Sequence, residues 1–529
     1  AACALMATTA FGILTGGPGT GKTTTVVRLL ALLQSLALRQ GGADEGAGNA
    51  GPSGQGEVAL RIRLAAPTGK AAARLQESVS GAVRGLDLSA LPGGEAIRAQ
   101  VPSEVTTLHR LLGSLPDSRR FRHHAGHPLA LDVLVIDEAS MIDLEMMAAV
   151  LAALPAHARL LILGDKDQLS SVEAGAVLGS LCARSGGGHF WPRTAGWLAE
   201  AGGGRVPPEL CDTQGRALDQ SVVMLRQSRR FDADSGIGRL AQAVNLGQPA
   251  RARQLLDQPT PGLAACRLRP GDDQALRRLA VEGGESVESG EGGRVGYRHY
   301  LALLRRTRPP ADAPPEAFDA WARGVLAAHG RFQVLCALRA GPWGVEGLNL
   351  RIARLLQQDG WLDGATGWFL GRPVLVTRND YGLGLMNGDI GITLALPHSQ
   401  MGTQMGTQEG SGSSSGSGWR LRVAFASAGG AEAGVRWILP SRLQDVQTVF
   451  AMTVHKSQGS EFDHAALLLP ERMSPVLTRE LVYTGITRAR RWFTLATPEA
   501  GGGAARGVLE AAIGRRVQRS GGLDLGWGR

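Results

Sequence analysis

Lysine is nearly absent from this sequence, because only four of its 56 Lys and Arg residues are lysines. A chain of this composition uses arginine wherever any cation will serve, and lysine, a compact and strongly hydrated charge, stays where arginine does not replace it. The four are Lys22, Lys70, Lys166 and Lys456. Each falls in a segment identified below as a motif, so the sequence itself marks four functional places.

Cysteine, aromatic residues and long apolar runs are also scarce. The five cysteines lie far apart and form no C-x-x-C pair, which argues against a zinc site and a disulfide framework and fits a reducing cytoplasm. Aromatic residues make up 5% of the chain, so any base stacking must use few rings. No apolar run reaches about 18 residues, so we expect no membrane span. The chain begins with Ala1 rather than Met, and we expect an N-terminal part to be missing.

The sequence does have enough apolar residues for several cores. Its 529 residues are 43% hydrophobic, which allows roughly two to four domains. The net charge of +9 is compatible with a polyanionic partner without proving one.

A glycine-rich turn lies between an apolar strand and a helix. It consists of Gly16, Gly17, Pro18, Gly19, Thr20, Gly21, Lys22 and Thr23. Its glycines let consecutive backbone N–H groups point into one concavity that fits a phosphate, and the helix adds the positive end of its dipole. We therefore predict that the turn binds a nucleotide, with Lys22 on the outer phosphates and the Thr23 hydroxyl on Mg²⁺. A flexible glycine turn, the alternative, does not explain Lys-Thr at this offset.

Two further strands end in polar side chains. The buried run of residues 133–136 is followed by Asp137 and Glu138, and the run of residues 160–163 is followed by a turn that contains Gln168. We predict that Asp137 holds Mg²⁺ through water, that Glu138 deprotonates the attacking water, and that Gln168 senses the γ-phosphate. The alternatives are an exposed acidic turn and an ordinary polar turn.

Other turns suggest a second phosphate chain. Pro67, Thr68 and Lys70 follow the predicted strand of residues 58–66 and open a helix, so this turn could grip nucleic acid, although an ordinary loop would look similar. Thr107 and His109 give a weaker signal of the same type. Residues 117–128 form a basic insert, whose three histidines favour a solvated hairpin over a metal site because no Cys or carboxylate cluster joins them.

The second half repeats the α/β pattern around an insertion. Residues 183–220 read as an irregular connection, and residues 371–440 carry four short strands, as in an antiparallel β-module. Residues 481–491 read as a helix ending in arginines, followed by a strand at 492–495. An arginine on a second domain can neutralise charge at a phosphate held by the first. For Arg490 and Arg491 the alternative is a favourable cation at a helix C-terminus.

Taken in order, these segments resemble the superfamily 1 helicases of the 5′-to-3′ group, and specifically the RecD family, the alpha subunits of exodeoxyribonuclease V (the RecBCD complex). The resemblance implies an α/β fold of two tandem RecA-like P-loop domains with parallel sheets, the second carrying a small antiparallel SH3-like β-module. The implied boundaries are 1–210 for the first domain, with a pin-like insert at about 115–130, 211–529 for the second, and 371–440 for the module with a disordered loop at 400–418.

The resemblance also assigns site residues. It implies catalytic roles for Lys22, Asp137, Glu138, Gln168, Arg230 and Arg488, the two arginines acting on the γ-phosphate. It adds Gly459 and Glu461 to the nucleotide-binding turn and assigns Mg²⁺ to Thr23 and Asp137. Its DNA contacts are Pro67, Thr68, Lys70, Thr107, His109, Thr453 and His455.

The implied activity is that of an ATP-dependent helicase on single-stranded DNA, the motor subunit of a cytoplasmic helicase–nuclease for double-strand break repair and recombination. The implied partners are DNA ends and RecB-like and RecC-like subunits, with no membrane. Outside the ATP site no compact cluster of acids with lysine exists, so nuclease activity is expected in a partner. The residues 462–466 and 478–483 favour this subunit over a stand-alone RecD-type helicase, which stays an alternative.

Two departures and one rival complete the comparison with the family. The resemblance leads us to expect an N-terminal docking domain and an adenine-reading glutamine just before Ala1. Neither lies within residues 1–529, which bears on the expected assembly and on the strictness of ATP preference. A non-catalytic scaffold subunit would lack at least one of Lys22, Glu138 or Arg488, and all three are present.

Overall fold

The computed structural model describes residues 1–43, 59–89, 91, 93–115, 118–171, 175–202, 204–231, 235–269, 271–284, 293–397, 418–427, 434–499 and 504–517. Residues 44–58, and residues 400–417 of the loop expected to be disordered, lie outside the described residues. Within the described residues, no helix combines the length and apolar character that crossing a membrane requires.

The chain forms two compact units, Ala1–Asp232 and Ala233–Val517. The sequence places the end of the first domain at residue 210, whereas the strand Val222–Leu225 pairs with Phe11–Gly16 in the sheet of the first unit. The intervening stretch, expected to be irregular, contains the helix Pro192–Glu200, which begins with proline at its first position.

The first unit contains one parallel sheet with helices on both faces. Its strands are β1 (Phe11–Gly16), β2 (Ile62–Ala66), β3 (Val105–Thr107), β4 (Val133–Ile136), β5 (Arg159–Gly164) and β6 (Val222–Leu225). They pair in the order β3-β2-β4-β5-β1-β6. Its helices are α1 (Ala2–Thr8), α2 (Lys22–Ala43), α3 (Gly69–Arg84), α4 (Gly94–Gln100), α5 (Leu108–Leu112), α6 (Leu144–Ala153), α7 (Val177–Leu181) and α8 (Pro192–Glu200).

Alternate residues of the central strands enter two separate cores, which explains the continuous apolar runs in the sequence. Ile13 and Ile162 pack in the core with α5, α6 and α7, whereas Leu14 and Leu163 pack in the core with α2 and α3. A parallel sheet covered on both faces needs apolar side chains on both. All six strands are parallel, so their carboxyl ends share one edge, where the predicted motifs lie.

The second unit contains a second parallel sheet and an antiparallel one. The parallel strands are β7 (Leu263–Leu268), β8 (Phe332–Cys336), β14 (Ala451–Thr453), β15 (Phe462–Leu468) and β16 (Ala489–Pro498), paired in the order β14-β8-β15-β16-β7. The antiparallel strands are β9 (Pro373–Val376), β10 (Ile390–Pro397), β11 (Trp419–Ala426), β12 (Val435–Ile438) and β13 (Val446–Thr448), paired in the order β12-β11-β10-β9-β13. These sheets confirm the predicted fold class.

The helices of the second unit are α9 (Gly236–Asn245), α10 (Pro249–Asp257), α11 (Gln274–Arg277), α12 (Tyr297–Arg306), α13 (Pro315–His329), α14 (Val345–Gln358), α15 (Arg479–Ile486) and α16 (Ala504–Gly514). The predicted helix over 481–491 is wrong in its second half, because α15 ends at Ile486 and Ala489 already pairs with Phe462 in the sheet. Arg490 and Arg491 are therefore strand residues and cap no helix. The β-module also has a fifth strand, β13, beyond residue 440.

Candidate nucleotide-binding site

The glycine-rich turn connects β1 to α2 in the conformation that a phosphate-binding loop needs. Gly19 and Gly21 have φ angles of +73° and +85°, which side chains beyond glycine rarely adopt. The ammonium of Lys22 donates to the carbonyl oxygens of Gly16 and Gly17 at 2.7 and 3.1 Å. These carbonyl bonds hold the cation over its own loop, where phosphate oxygens can replace them as acceptors.

The carboxylates predicted at the end of β4 lie at the same sheet edge. The backbone N–H of Asp137 donates to the Ala65 carbonyl at 3.0 Å, and that of Glu138 donates to Asp137 Oδ1 at 2.8 Å. Glu138 has a φ of +51°, a conformation that costs free energy in a non-glycine residue and that recurs at active sites. Burial and the neighbouring Glu138 carboxylate raise the pKa of Asp137 to about 6, and the charge of Lys22 opposes that rise.

The turn after β5 adds a third polar group. Gln168 Nε2 donates to Asp165 Oδ2 at 3.0 Å, while the Gln168 Oε1 atom is buried with no hydrogen-bond partner among the described residues. Burial raises the pKa of Asp165 above its usual value, and the charge of Lys22 again opposes the rise. The charge of one lysine thus acts on carboxylates from two strand ends, so the ends of β1, β4 and β5 converge.

Arg230, predicted to contact the γ-phosphate, lies against the phosphate loop. A Cβ added to Gly19 would come within 2.3 Å of Arg230 Cβ, closer than real Cβ contacts. The N–H of the preceding Arg229 donates to the Gly19 carbonyl at 2.8 Å. The structure therefore brings Arg230 to the loop from a position more than 200 residues away in the chain.

The site has the donor set that a magnesium nucleotide requires. Asp137, Glu138 and Asp165 concentrate negative charge at one edge of the sheet. Burial, and after it the Glu138 carboxylate, raise the pKa of Asp137 although the charges of Lys22 and Arg74 oppose the rise. Carboxylate and hydroxyl oxygens are the ligands that Mg²⁺ prefers, and Thr23 lies in the first turn of α2. The residues present therefore fit the predicted metal.

The turns predicted to touch DNA from the first unit lie side by side. Thr68 caps α3 by accepting from the Ala71 N–H at 3.2 Å, and Thr107 caps α5 by accepting from the Arg110 N–H at 3.3 Å. Their strands are neighbours, since Ala66 is paired with Thr107 in the parallel register of β2 and β3. The prediction that these turns bind DNA stays a prediction.

Next to these turns, the basic insert carries an aromatic ring. The ring centroids of His109 and Phe121 are 6.0 Å apart and edge-on. The insert is held by the bridges of Ser114 with Phe121 and of His124 with His127. A predicted DNA-contact residue and the insert therefore touch within the first unit.

In the second unit, the predicted motif follows β14. Thr453 Oγ1 accepts from the Lys456 N–H at 3.3 Å, and His455–Ser457 form one turn of 3₁₀ helix. Burial lowers the pKa of Lys456, and the charge of Arg339 adds to the effect. Gly459 has a φ of +68°, so glycine is required at that turn.

The arginines that follow α15 are held within their own unit. Arg488 is 2% exposed, and its guanidinium donates to the carbonyls of Thr484 and Ser460, both at 3.1 Å. Arg490 Nε donates to Glu461 Oε2 at 3.2 Å. The role of Arg488 at the γ-phosphate stays a prediction.

Two residues of the site escaped the sequence reasoning. Asp165, which holds Gln168, follows a buried strand just as Asp137 does, so the same signal could have identified it. Ser228 lies in the segment of residues 227–231, which resembles a family motif, but the sequence assigned it no role. Its hydroxyl donates at 2.9 Å to the Pro18 carbonyl, 210 residues away, and no local pattern contains that partner.

Comparison with known families finds two matches at the positions of these motifs. The model of an AAA domain matches residues 1–174, which include the phosphate loop, Asp137, Glu138 and Gln168. The model of a UvrD-like helicase C-terminal domain matches residues 448–496, which include Thr453 and Arg488.

Curated relatives match almost the whole chain. The RecBCD enzyme subunit RecD of Haemophilus influenzae is 35% identical over 97% of this chain and 69% of its own length. The RecBCD enzyme subunit RecD of Mycolicibacterium smegmatis is 37% identical over 97% of this chain and 71% of its own. The ATP-dependent RecD2 DNA helicase of Deinococcus radiodurans is 29% identical over 92% of this chain and 47% of its own.

Among solved structures, the chain matches a Pif1 helicase from Bacteroides in complex with ADP-AlF3 and ssDNA. The sequence identity is 14% and the TM-score 0.37, over 91% of this chain and 87% of that one. At that TM-score the likeness adds nothing to the sheet topology described above.

Proposed function

Because the chain belongs to the RecD family of RecBCD enzyme subunits, we propose that it is an ATP-driven DNA helicase that moves 5′ to 3′ along single-stranded DNA. The observation that carries this function is the convergence on one loop of Lys22, Asp137 and Asp165 from three strand ends. A loop that binds phosphate and a carboxylate that activates water are the two parts that nucleotide hydrolysis needs.

The chain's own residues perform the hydrolytic step. Lys22 exchanges its hydrogen bonds to the Gly16 and Gly17 carbonyls for hydrogen bonds to the outer phosphate oxygens. Glu138 accepts the proton of the attacking water, and its unusual backbone conformation directs its carboxylate. Mg²⁺ held by Thr23 and Asp137 would supply charge that neutralises the phosphate oxygens.

Further side chains contact the terminal phosphate in this proposal. Asp165 fixes the amide of Gln168, so that the orientation of Gln168 is set before a nucleotide arrives. Arg230 adds positive charge from the segment bound to the phosphate loop. Arg488 is proposed as the second γ-phosphate arginine.

The DNA strand binds at turns that continue the same sheet. Thr68 follows β2, Thr107 is the last residue of β3, and β2 pairs directly with β4, which ends one residue before Asp137. The carboxylates that follow β4 are therefore one strand away from the proposed DNA contact that follows β2. Contacts to the phosphate backbone are insensitive to sequence and weaken with salt, as a translocating motor requires.

The proposed setting is a cytoplasmic complex with RecB-like and RecC-like subunits that processes DNA ends in double-strand break repair. Nuclease activity belongs to a partner in this proposal. The presence of Lys22, Glu138 and Arg488 favours a working motor over a scaffold subunit.

DNA-stimulated ATP hydrolysis tests the proposal, with the Lys22→Gln variant as the inactive form. We expect single-stranded DNA to stimulate hydrolysis and the substitution to lower it by roughly a hundredfold or more. Arg28→Gln is the matched control, since Arg28 is an exposed cation on the same helix. An unsubstituted protein that shows no stimulation when assembled with its partners would overturn the motor assignment.

Unwinding assays separate the subunit from a stand-alone helicase. Duplexes with a 5′ or a 3′ single-stranded tail are given to the chain alone and to its complex with partners. We expect unwinding from the 5′ tail, and greater activity in the complex. Full unwinding by the chain alone would favour the stand-alone alternative.

A further inference from the structure

A single hydroxyl fastens the segment Ser228–Phe231 to the phosphate loop. Ser228 Oγ donates to the Pro18 carbonyl at 2.9 Å. The same oxygen accepts from the N–H groups of Arg230 at 3.2 Å and Phe231 at 3.1 Å. The hydroxyl therefore joins the segment to the loop and also bends the segment into a turn, the kind of local bond that serine forms readily.

The backbones of the loop and the segment approach closely at the same place. A Cβ on Gly19 would lie 2.3 Å from Arg230 Cβ and 3.0 Å from Ser228 Oγ. The Arg229 N–H adds a bond of 2.8 Å to the Gly19 carbonyl. Glycine is therefore required at position 19 for two reasons: its φ is +73°, and a side chain there would clash with the segment. These contacts fix the position of the segment on the loop.

We propose that Ser228 is a positioning residue for ATP hydrolysis, whose hydroxyl sets the place of Arg230 relative to the phosphate loop. The inference rests on the proposed function and assigns a role to a residue that the motif reasoning left without one. Arginine has a long side chain with large rotamer entropy, so its charge is useful at a phosphate only when its backbone is fixed. A displacement of about 1 Å at a positioning residue can cost roughly a hundredfold in rate.

A second serine provides a matched control. Ser235 caps α9, and its Oγ accepts from the Gly238 N–H at 3.4 Å. It lies seven positions after Ser228 and makes a local bond within its own helix. Ser235→Ala removes the same atom as Ser228→Ala, and loss of a cap costs stability without moving Arg230.

The test measures DNA-stimulated ATP hydrolysis by the full chain assembled with its partners. We expect Ser228→Ala to lower kcat about tenfold, the effect of one lost hydrogen bond on the transition state, with little change in KM for ATP. Ser228→Thr keeps the hydroxyl and should recover most of the activity. Ser235→Ala should retain the unsubstituted kcat.

A double-variant cycle with Arg230→Ala shows whether Ser228 acts through that arginine. We expect Ser228→Ala to cause no further loss of kcat in the Arg230→Ala background, because two residues that act as one unit are not additive. The same tenfold loss in both backgrounds would overturn the proposal, as would a loss no larger than that of Ser235→Ala.

Binding measurements keep this inference separable from the proposed function. Ser228→Ala should weaken binding of the transition-state analogue ADP–aluminium fluoride and leave ADP binding unchanged, since only the former places a charged group at the position of the transferred γ-phosphate. This readout requires no DNA and no turnover, so it judges Ser228 even if DNA fails to stimulate hydrolysis. Equal weakening for both nucleotides would show that Ser228 supports the loop as a whole and would reject the role proposed here.

Discussion

Lys22 in the first unit and Arg488 in the second are both predicted to meet the same phosphate, yet their surroundings differ. Lys22 is bonded to two carbonyls of its own glycine-rich turn. Arg488 is buried and bridges the carbonyls of Thr484, at the end of α15, and Ser460, before β15. The partners of Lys22 belong to the predicted nucleotide-binding loop. The partners of Arg488 belong to two separate segments of the second unit, which the arginine holds together.

The difference separates two ways of holding a cation for a ligand. Phosphate oxygens can take the place of the carbonyls at Lys22, because the loop is built around a space for them. The bonds of Arg488 connect segments that are 24 residues apart in the chain, so losing them affects folding as well as chemistry. Substitutions at the site of the first unit should therefore lower kcat, whereas substitution of Arg488 in the second unit should lower the free energy of unfolding.

The largest expected effect is that of Glu138→Gln on hydrolysis. Removing the general base should lower kcat by roughly 10²- to 10⁴-fold while nucleotide binding and thermal stability persist, because the first unit's site is chemical rather than structural. Single-turnover hydrolysis and nucleotide binding measure the two quantities. Glu145→Gln, at an exposed position in the first turn of α6, is the control. An equal loss of kcat in Glu145→Gln would show that the effect is not specific to Glu138. A large loss of thermal stability in Glu138→Gln would break the distinction between the units.

The next effect concerns the stability of the second unit. Arg488→Met should lower the free energy of unfolding by about 3 kcal/mol, since the carbonyls of Thr484 and Ser460 lose the guanidinium that donates to them. Arg490→Met, whose side chain is 52% exposed and pairs with Glu461, should cost less than about 1 kcal/mol. Thermal and denaturant unfolding provide the comparison. An Arg488→Met variant with the stability of the unsubstituted protein would contradict the structural role of this arginine and remove the contrast with Lys22.

A fall in pH should change the stability of the two units in opposite directions, by less than the loss expected for Arg488→Met. Burial lowers the pKa of His464 in the second unit to about 3, so stability that is present above pH 6.5 is lost as the pH falls, by about 2 kcal/mol at pH 5. In the first unit the pKa of Asp137 is raised to about 6, so the folded state holds a proton that the unfolded state releases. Stability of that unit therefore rises as the pH falls from about 6 to about 4.

Hydrogen exchange, read by peptide at pH 7.5 and pH 5 without Mg²⁺, resolves the two units. His464→Gln should remove most of the acid sensitivity of the second unit, and Asp137→Asn should remove the gain of the first. Parallel loss of protection in both units at pH 5 would contradict the assignment.

Sequence was sufficient where the structural requirement is local. The positive φ angles of Gly19 and Gly21 are visible in the sequence because few other residues adopt them. Thr68 and Thr107 were recognisable as helix starts, since each side chain reaches an N–H only three positions further on. The buried strands β4 and β5 were also predicted, because both faces of a parallel sheet require apolar residues.

Sequence failed where a distant partner decides the conformation. The helix predicted through Arg491 ends at Ile486, because Ala489 is taken into the sheet by Phe462. The strand β7 has a weak apolar pattern and is a strand through its pairing with β16. Glu138 shows no preference for a positive φ, and its conformation comes from the turn between β4 and the residues that follow. No local pattern contains these partners.

The attachment of Ser228–Phe231 to the phosphate loop has a mechanical consequence within the first unit, because this segment follows the edge strand β6. A displacement of Pro18 or Gly19 is passed through the hydrogen bonds of Ser228 and Arg229 to the backbone beyond that strand. The nucleotide loop is thus mechanically coupled to the edge of its own sheet.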